Sequence, residues 1–494
     1  MGTDFASNLL SSYPVLCRRD LGAQFGSMLR PTARPWFHTC LKYQETPDTE
    51  TKQWLKAFED AQRRAMYDPK AFFNKAANQG DDDVAAFGQA ALSVEINRQR
   101  TGLMYRCWHL KDMAWQENAD GALGCIFRKW KTDAQTLKST FGDRVHHDIE
   151  KALEKEPFKE FCYLHMVVES EVFDEKTDKP YWHIWYDLDH DELVHKTPAW
   201  TQYYVIPRWQ TVSGSQYSYS PATVCALPDA RLLQAMSWTL MEAGERATWP
   251  PMIATVDAVR SDIGNYAGGI TWVDPEYDEK LGEALRPLSQ DFRGFGFGME
   301  MNADARGMIN KAFFLDTLKL PERGPEMTAR EISARTQQYI RDALPLFEPL
   351  EHEYNAAVCE MSFELLWREG AFGAPISWPK SLQGADISFQ FESPLHDVIE
   401  EMKGQKFIEG SSLIASAMQL DPSSGIVVKS EVALRDALLG IGVEPKWLNT
   451  EAEVETMKKQ IQQRQEAQQM LQAAQQAGAA AKDFGAANES LANA

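Results

Sequence analysis

The chain contains no Cys-x-x-C pair, no phosphate-binding glycine loop and no long apolar run, and each absence argues against a class of function. Its seven cysteines, Cys17, Cys40, Cys107, Cys125, Cys162, Cys225 and Cys359, are odd in number and widely scattered, without the spacing of a zinc or redox site. They are expected to be reduced, mostly buried thiols. No G-x-x-x-x-G-K-[ST] segment occurs, so nothing wraps a nucleotide's phosphates in the P-loop manner, and an ATP-driven motor is not expected. The run Gly294-Phe295-Gly296-Phe297-Gly298 lacks the spacing of a dinucleotide fingerprint and reads as a flexible loop. No cofactor is expected.

No stretch approaches the roughly 18 to 20 uninterrupted apolar residues that cross a bilayer, and residues 1–30 lack the basic start and apolar core of a signal peptide. The chain is expected to stay in the cytosol where it is made, with no membrane partner. Positive charge is also scarce: 51 Lys and Arg face 71 Asp and Glu, a formal charge of −20. Grip on nucleic acid comes from clustered cations that release counterions from phosphate, and this composition is the reverse. Either the protein never meets nucleic acid, or it meets it as a conduit that must not stick.

What the chain does have is apolar material. Hydrophobic residues make up 44%, with 15 Trp and 24 Phe, enough to offset the ordering entropy of several folded modules. Residues 1–80 read as mainly helical, because Trp54, Phe58, Ala61 and Ala65 recur on one helical face. Between about residues 85 and 215 the period falls to two, at Leu92, Val94 and Ile96 and again at Trp182, Ile184, Tyr186 and Leu188, which predicts antiparallel strands.

Helices return at Ser220, an N-cap followed by Pro221 at the first helical position, with Pro228 expected to interrupt or kink the helix. Leu232, Leu233, Met236 and Leu240 form its apolar stripe, and Pro250-Pro251 stops it. Residues 252–290 read as a small β-containing insertion, and a second helix is expected over 303–318, on Ala305, Met308, Ile309, Ala312 and Phe313. After a loop at 319–327, Thr328 and Glu331 form a capping box that opens a long helix, expected to bend near Pro345 and Pro349 and to end before Gly370. A second capping box, Thr450 with Glu453, opens a last helix with a thin seam of Val454, Met457, Ile461 and Leu471. The fold class is α+β.

Three polar clusters merit a chemical test. Asp187-Leu188-Asp189-His190-Asp191-Glu192 alternates carboxylates as calcium loops and some nucleases do, but Glu192 stands where the loop needs glycine and Pro198 where it needs a bidentate glutamate. It reads as a strand end or turn. Asp81-Asp82-Asp83 reads as a charged helix cap or exposed turn, and His146-His147-Asp148 lacks a second ligand set, since neighbours on one helix point to different faces. No catalytic residue and no metal site are nominated.

Several segments carry a resemblance when taken together and in order. They are Pro35-Trp36-Phe37, Phe87-Gly88 leading into Leu92-Ser93-Val94, Arg128-Lys129-Trp130 leading to Phe141-Gly142, and Arg208-Trp209 followed by Tyr217 to Pro221. Further on come Pro250-Pro251, Ala312-Phe313-Phe314, Met327-Thr328-Ala329-Arg330-Glu331 and Phe391-Glu392-Ser393-Pro394-Leu395. The chain thereby resembles the podovirus (short-tailed phage) portal family, the head-to-tail connectors.

The resemblance implies a ring of twelve identical subunits at one capsid vertex, a DNA channel that serves genome packaging, retention and ejection. It divides the chain into a mixed wing (1–220), a stem helix (221–246), a small clip (247–300) and a second stem helix (301–318). A tunnel loop (319–327) follows, then a long kinked helix returning to the wing (328–410) and a C-terminal helical crown or barrel (411–494). Lys319, Glu322, Arg323 and Pro325 would lie in the tunnel loop beside double-stranded DNA. Trp249, Tyr266 and Trp272 would lie on the clip, the surface for the terminase motor and then the tail adaptor. Major capsid and scaffolding proteins are further implied partners, and the location is host cytoplasm during assembly and then the virion. The family has no catalytic residues, so no enzyme is expected. The alternatives are another phage structural protein, of tail or core, and a metal-dependent nucleic-acid enzyme built on the Asp187 to Glu192 carboxylates.

Overall fold

A computed structural model describes residues 9–32, 35–42, 49–173, 177–254, 272, 285–287, 293–318, 338, 341–342, 345–374 and 378–391, and in the C-terminal part 407–408, 410–416, 433–434, 437–438, 454, 456–461 and 463. The chain divides into two compact units, Met1–Leu395 and His396–Ala494. In the second unit, residues 410–416 and 456–461 are helical, and Leu413, Met457 and Ile461 are exposed. Thr450, Glu453 and Leu471 of the expected last helix lie outside the described residues.

The first unit has a helical core wrapped by strands. Helix α1 (Tyr13–Leu29) buries Cys17, Leu21, Phe25 and Leu29, a strict i, i+4 stripe. Strand β1 (Phe37–Leu41) and helix α2 (Thr49–Met66) follow, and α2 places Leu55 and Phe58 in the core with Trp54, Ala61 and Ala65 packed against it, as the periodicity predicts. Helix α3 (Phe73–Phe87) lies against α1.

Here the triple aspartate departs from expectation. It lies within α3 rather than at a cap, and Asp81 is buried in an ion pair with Arg30. Arg30 also donates to Asn355 Oδ1 at 2.7 Å and stacks on Tyr354, 4.3 Å from the ring centroid. A run of acids resembles a solvated surface only while the cation opposite is out of view in sequence.

Strands β2 (Leu92–Ile96) and β3 (Leu103–Cys107) form a hairpin, joined on the other side of β2 by β9 (Tyr204–Val205), and a short antiparallel pair, β10 (Gln210–Thr211) and β11 (Ser218–Tyr219), follows. Between β3 and β9 lies a five-stranded antiparallel sheet in simple order: β4 (Met113–Glu117), β5 (Leu123–Asp133), β6 (Glu160–Glu169), β7 (Tyr181–Asp187) and β8 (Glu192–Ala199). Helices α4 (Ala134–Phe141) and α5 (His147–Lys155) pack Leu137 and Ile149 against Phe161 and Tyr163, a helical excursion that the period-two reading of this region did not foresee.

On β5 and β6 alternate residues are buried, but β7 buries Trp182, His183 and Ile184 in succession, so its sequence alternation marks no single inner face. The sheet's buried face carries a polar chain at its middle. Arg128 Nε donates to Tyr204 Oη (2.7 Å), which lies 2.6 Å from His165 Nδ1; His165 Nε2 lies 3.2 Å from His183 Nδ1, and His183 Nε2 lies 2.8 Å from the Thr201 carbonyl. Read from Arg128 Nε to Thr201, each link joins one donor to one acceptor with both imidazoles neutral, while Arg128 Nη1 has no hydrogen-bond partner among the described residues and the guanidinium lies over the Trp108 ring, 3.8 Å from its centroid. Burial holds His165 well below the ordinary histidine range and lowers His183 to about 4.

Helix α6 (Pro221–Thr248) and helix α7 (Arg293–Ala312) pack side by side, with the antiparallel pair β12 (Met252–Ala254) and β13 (Leu285–Pro287) between them in sequence. Pro228 lies inside α6 without interrupting it. Two expectations are corrected here. The second helix begins at 293, not 303, and ends at Ala312, with turns over 313–318. The glycine run, read as a flexible loop, belongs to that helix. At Gly298 a Cβ would come within 2.9 Å of Leu240, so the missing side chain allows close helix packing that offsets glycine's poor helix propensity.

Beyond the undescribed 319–337, residues 345–350 are helical, Glu351–Ala356 form a π-helix directly after Pro349, and helix α8 (Ala357–Arg368) ends before Gly370 as expected. Strand β14 (Ile387–Phe391) pairs with β1, Phe37 against Phe391. Two cysteines, Cys17 and Cys359, are buried and Cys225 is exposed; the other four are intermediate, and all are free, so fewer are buried than expected.

The buried histidines set a pH dependence. Their folded pKa values lie below the ordinary 6.5, so the unfolded chain takes up protons first, and stability present above pH 6.5 is lost as the pH falls towards 4. His183 alone should account for about 3 kcal/mol over that window. Urea unfolding followed from pH 8 to 4 should show the midpoint falling below pH 6.5, with a shallower fall in His183→Gln.

Candidate functional site

The helix pair α6 and α7 is rooted in a polar joint assembled from residues distant in sequence. Ser220 caps α6, its Oγ accepting from Thr223 N at 3.1 Å and donating to the Ala85 carbonyl at 2.7 Å; Thr223 Oγ1 donates to the same carbonyl at 3.1 Å. Ser218 Oγ donates to the Gly88 carbonyl at 2.5 Å, as does Trp209 N at 2.7 Å. Gly88 ends α3 at φ +79°, and a Cβ there would overlap the Tyr219 and Ser220 backbone. Only glycine meets both demands. Beside the joint, Arg208 grips Glu353 through two bonds of 3.1 Å and also pairs with Glu117, while Trp209 meets Phe25 edge-on at 5.0 Å.

From that root α6 presents two apolar faces. Ala222, Ala226 and Leu233 are buried inward. Val224, Leu227, Trp238 and Met241 are exposed, Trp238 by 59%, and fall within about 100° of arc on a different side of the helix. On α7, Phe297 and Met308 are exposed on one stripe and Met299 on another. Fully burying each such side chain is worth about 1.5 to 3 kcal/mol, so this surface calls for a partner. The sequence reading missed the stripe. Its signal was present in the three- and four-residue spacing of 224, 227, 231, 234, 238 and 241, with apolar residues at four of the six.

Of the proposed clip residues, Trp249 and Trp272 are exposed, by 69% and 67%. Tyr266 and the whole 319–327 loop, with Lys319, Glu322, Arg323 and Pro325, lie outside the described residues, as does the Thr328 to Glu331 capping box. The Asp187 to Glu192 carboxylates lie at the β7–β8 turn, and two of them, Asp187 and Asp189, are tied to backbone amides. Asp187 Oδ1 accepts from Asp189 N (3.0 Å) and His190 N (3.2 Å), and Asp189 Oδ2 accepts from Cys162 N (2.7 Å).

His146 is the N-cap of α5 rather than part of the helix, so its ring folds to 4.1 Å from that of His147, contrary to the expectation that the two diverge. With Asp148 they offer ligand atoms within 4.8 Å of one another. His190 stacks on His146 at 4.0 Å and 20°, and two nearly parallel rings cannot both hold one ion in their planes. Three consecutive residues, two of them exposed, with His146 Nδ1 already accepting from Asp148 N, make a poor cage.

The model of the family described as bacteriophage head to tail connecting protein matches residues 4–448. The chain belongs to this family. Head to tail connecting proteins are structural, with their place in the virion, and that membership is the ground for assigning this one no reaction. Among curated proteins it is similar to a "Probable portal protein" of Bordetella phage BPP-1, 21% identical over 420 residues that cover 79% of this chain and 70% of the relative. It is also similar to the "Portal protein" of Salmonella phage epsilon15, 20% identical over 399 residues, 76% of this chain and 68% of the relative.

Among solved structures, the neck of the native gene transfer agent particle computed with C12 symmetry contains a chain 12% identical at a TM-score of 0.36, covering 88% of this chain and 94% of that one. The neck of the empty particle computed with C6 symmetry contains one at 12% and 0.35, covering 81% and 92%. No helix among the described residues of this connecting protein is long and apolar enough to cross a membrane.

The joint at Gly88 should be intolerant of any side chain. Gly88→Ala adds a Cβ to a left-handed backbone and drives it into Tyr219, and should cost about 3 kcal/mol or more. Thermal unfolding checks this, with Gly244→Ala, a helical site where a Cβ meets nothing within 4 Å, expected to be harmless.

Proposed function

We propose that the chain closes with identical copies into a ring of twelve at the capsid vertex and forms the channel through which double-stranded DNA enters, is held and leaves. The observation that carries this reading is the exposed apolar stripe of Val224, Leu227, Trp238 and Met241 on α6, left uncovered among the described residues. In a cyclic head-to-tail assembly a surface of this kind is covered by a different surface of the next copy, and closure leaves none exposed. The family's portal relatives support the same reading.

In this reading residues 1–220 with the return segment 328–410 are the wing, α6 and α7 the stem, the residues between them the clip, 319–327 the tunnel loop and 411–494 the crown or barrel. Trp249, Tyr266 and Trp272 on the clip would dock the terminase motor during packaging and the tail adaptor afterwards. Exposed tryptophans are the side chains that anchor such contacts. A net charge of −20 per chain suits a wall along which DNA slides, because the wall lacks the cation density that would hold it. Major capsid and scaffolding proteins would meet the wing.

Ring closure through the stem is tested by Trp238→Ser with Met241→Ser. Both side chains are exposed in the single chain, so the variant should fold with unchanged circular dichroism yet run as a monomer in native mass measurement, where the parent runs as a ring. A variant that assembles like the parent removes the stem from the interface. Lys319→Ala with Arg323→Ala should leave ring assembly intact and impair packaging or retention of DNA, scored as filled heads; normal filling would remove the loop from the channel.

A further inference from the structure

The β7–β8 hairpin carries opposite chemistries at its two ends. Where β8 leaves the sheet, a groove of 930 Å³ opens between the β2–β3 turn, the end of β8 and the C-terminus of α8. Trp200 and Trp367 are exposed on it, and the Arg368 guanidinium lies over both rings, 4.2 and 5.4 Å from their centroids. Arg98, Arg100 and Lys179 line the same groove with Glu95 and Glu369, on a chain that is acidic overall; Arg100 is paired with Glu369 and Arg368 with Glu364, while Lys179 donates to the Pro198 carbonyl at 3.0 Å. Arg98 is exposed and has no ion-pair partner among the described residues. Tryptophan and arginine in a concave site are the composition of an interface anchor.

At the other end, Asp189, Asp191 and Glu192 are exposed, flanked by exposed Leu188 and Leu193. The turn is held rigid by the bonds that Asp187 and Asp189 accept from backbone amides, so docking it costs little ordering. The six residue steps of β7 separate this acidic, apolar knob from the cationic, aromatic groove by about 20 Å, so the two cannot meet within one copy.

We propose that the β7–β8 turn of one copy seats in the Trp200, Trp367 and Arg368 groove of the next copy around the ring, an inference that rests on the ring reading above. Two different, mutually complementary patches on one copy, displaced from each other, are what a heterologous, closing contact requires. Charge complementarity selects this occupant. Adjacent copies that are each strongly acidic repel unless opposite charges meet at the joint, and the groove is a place where cations outnumber acids.

A charge exchange tests the contact. Arg98→Glu and Glu192→Lys, each at an exposed position, should leave thermal unfolding of the single chain unchanged. Each alone should raise the protein concentration for half-maximal ring formation, read by native mass measurement, by about tenfold. Both in one chain recreate the pair with signs exchanged, and should return that concentration to within about threefold of the parent. Single variants that assemble like the parent, or a double variant no better than the worse single, overturn the proposal. A parent chain that forms no ring at all overturns the ring reading itself and this contact with it, a result distinct from either.

Discussion

The first unit is organised around one buried guanidinium. Arg30, at the end of α1, pairs with Asp81 of α3, donates to Asn355 of the π-helix and lies over the Tyr354 ring. Asn355 in turn donates to the Leu29 carbonyl at 3.1 Å, the last residue of α1, and Tyr354 donates to the Ala77 carbonyl at 3.2 Å. Burying a charge is tolerable only where it is paired and hydrogen-bonded, and losing one partner of such a pair costs about 3 to 5 kcal/mol. Three elements separated by tens to hundreds of residues are thus locked in one mutual position. Gly80 allows the approach, since a Cβ there would strike the Tyr354 hydroxyl.

That lock positions the joint from which the helix pair projects. Arg208 reaches Glu353, two residues from Asn355, while Gly88 at the other end of α3 receives the α6 N-terminus. The root of α6 is therefore held on both sides by a polar network, whereas its outer length packs on α7 and leaves the stripe from Val224 to Met241 uncovered among the described residues. A rigid base and an apolar stripe without a cover suit a part whose stability is completed by assembly. In the proposed ring the acidic net charge would work in the same direction, keeping DNA from adhering while copies meet where apolar and cationic side chains concentrate.

Features governed by neighbours a few residues away were legible in advance. The Ser220 cap, the end of α8 before Gly370, the core face of α2 and the antiparallel strands follow from local hydrogen bonding and from periodicity, which act within one element. The resemblance segments were legible as signatures, but not for their reasons. Gly88 is required by the approach of the Tyr219 backbone, and Trp36 stacks on Phe391; neither neighbour is near in sequence.

Misreadings share one cause. Asp81 reads as surface charge because Arg30 lies 51 positions away, and the glycine run reads as a loop because Leu240 is on another helix. Charge balance, family and the elements with a clear period are carried by composition and short-range pattern, and so by the sequence alone. Which acid is buried, which glycine packs and which apolar stripe is left uncovered are decided by contacts such as β1 with β14, spanning about 350 residues. Such contacts form only when the entropy of closing the intervening chain is offset by everything else the fold buries at once. Only the tertiary structure specifies them.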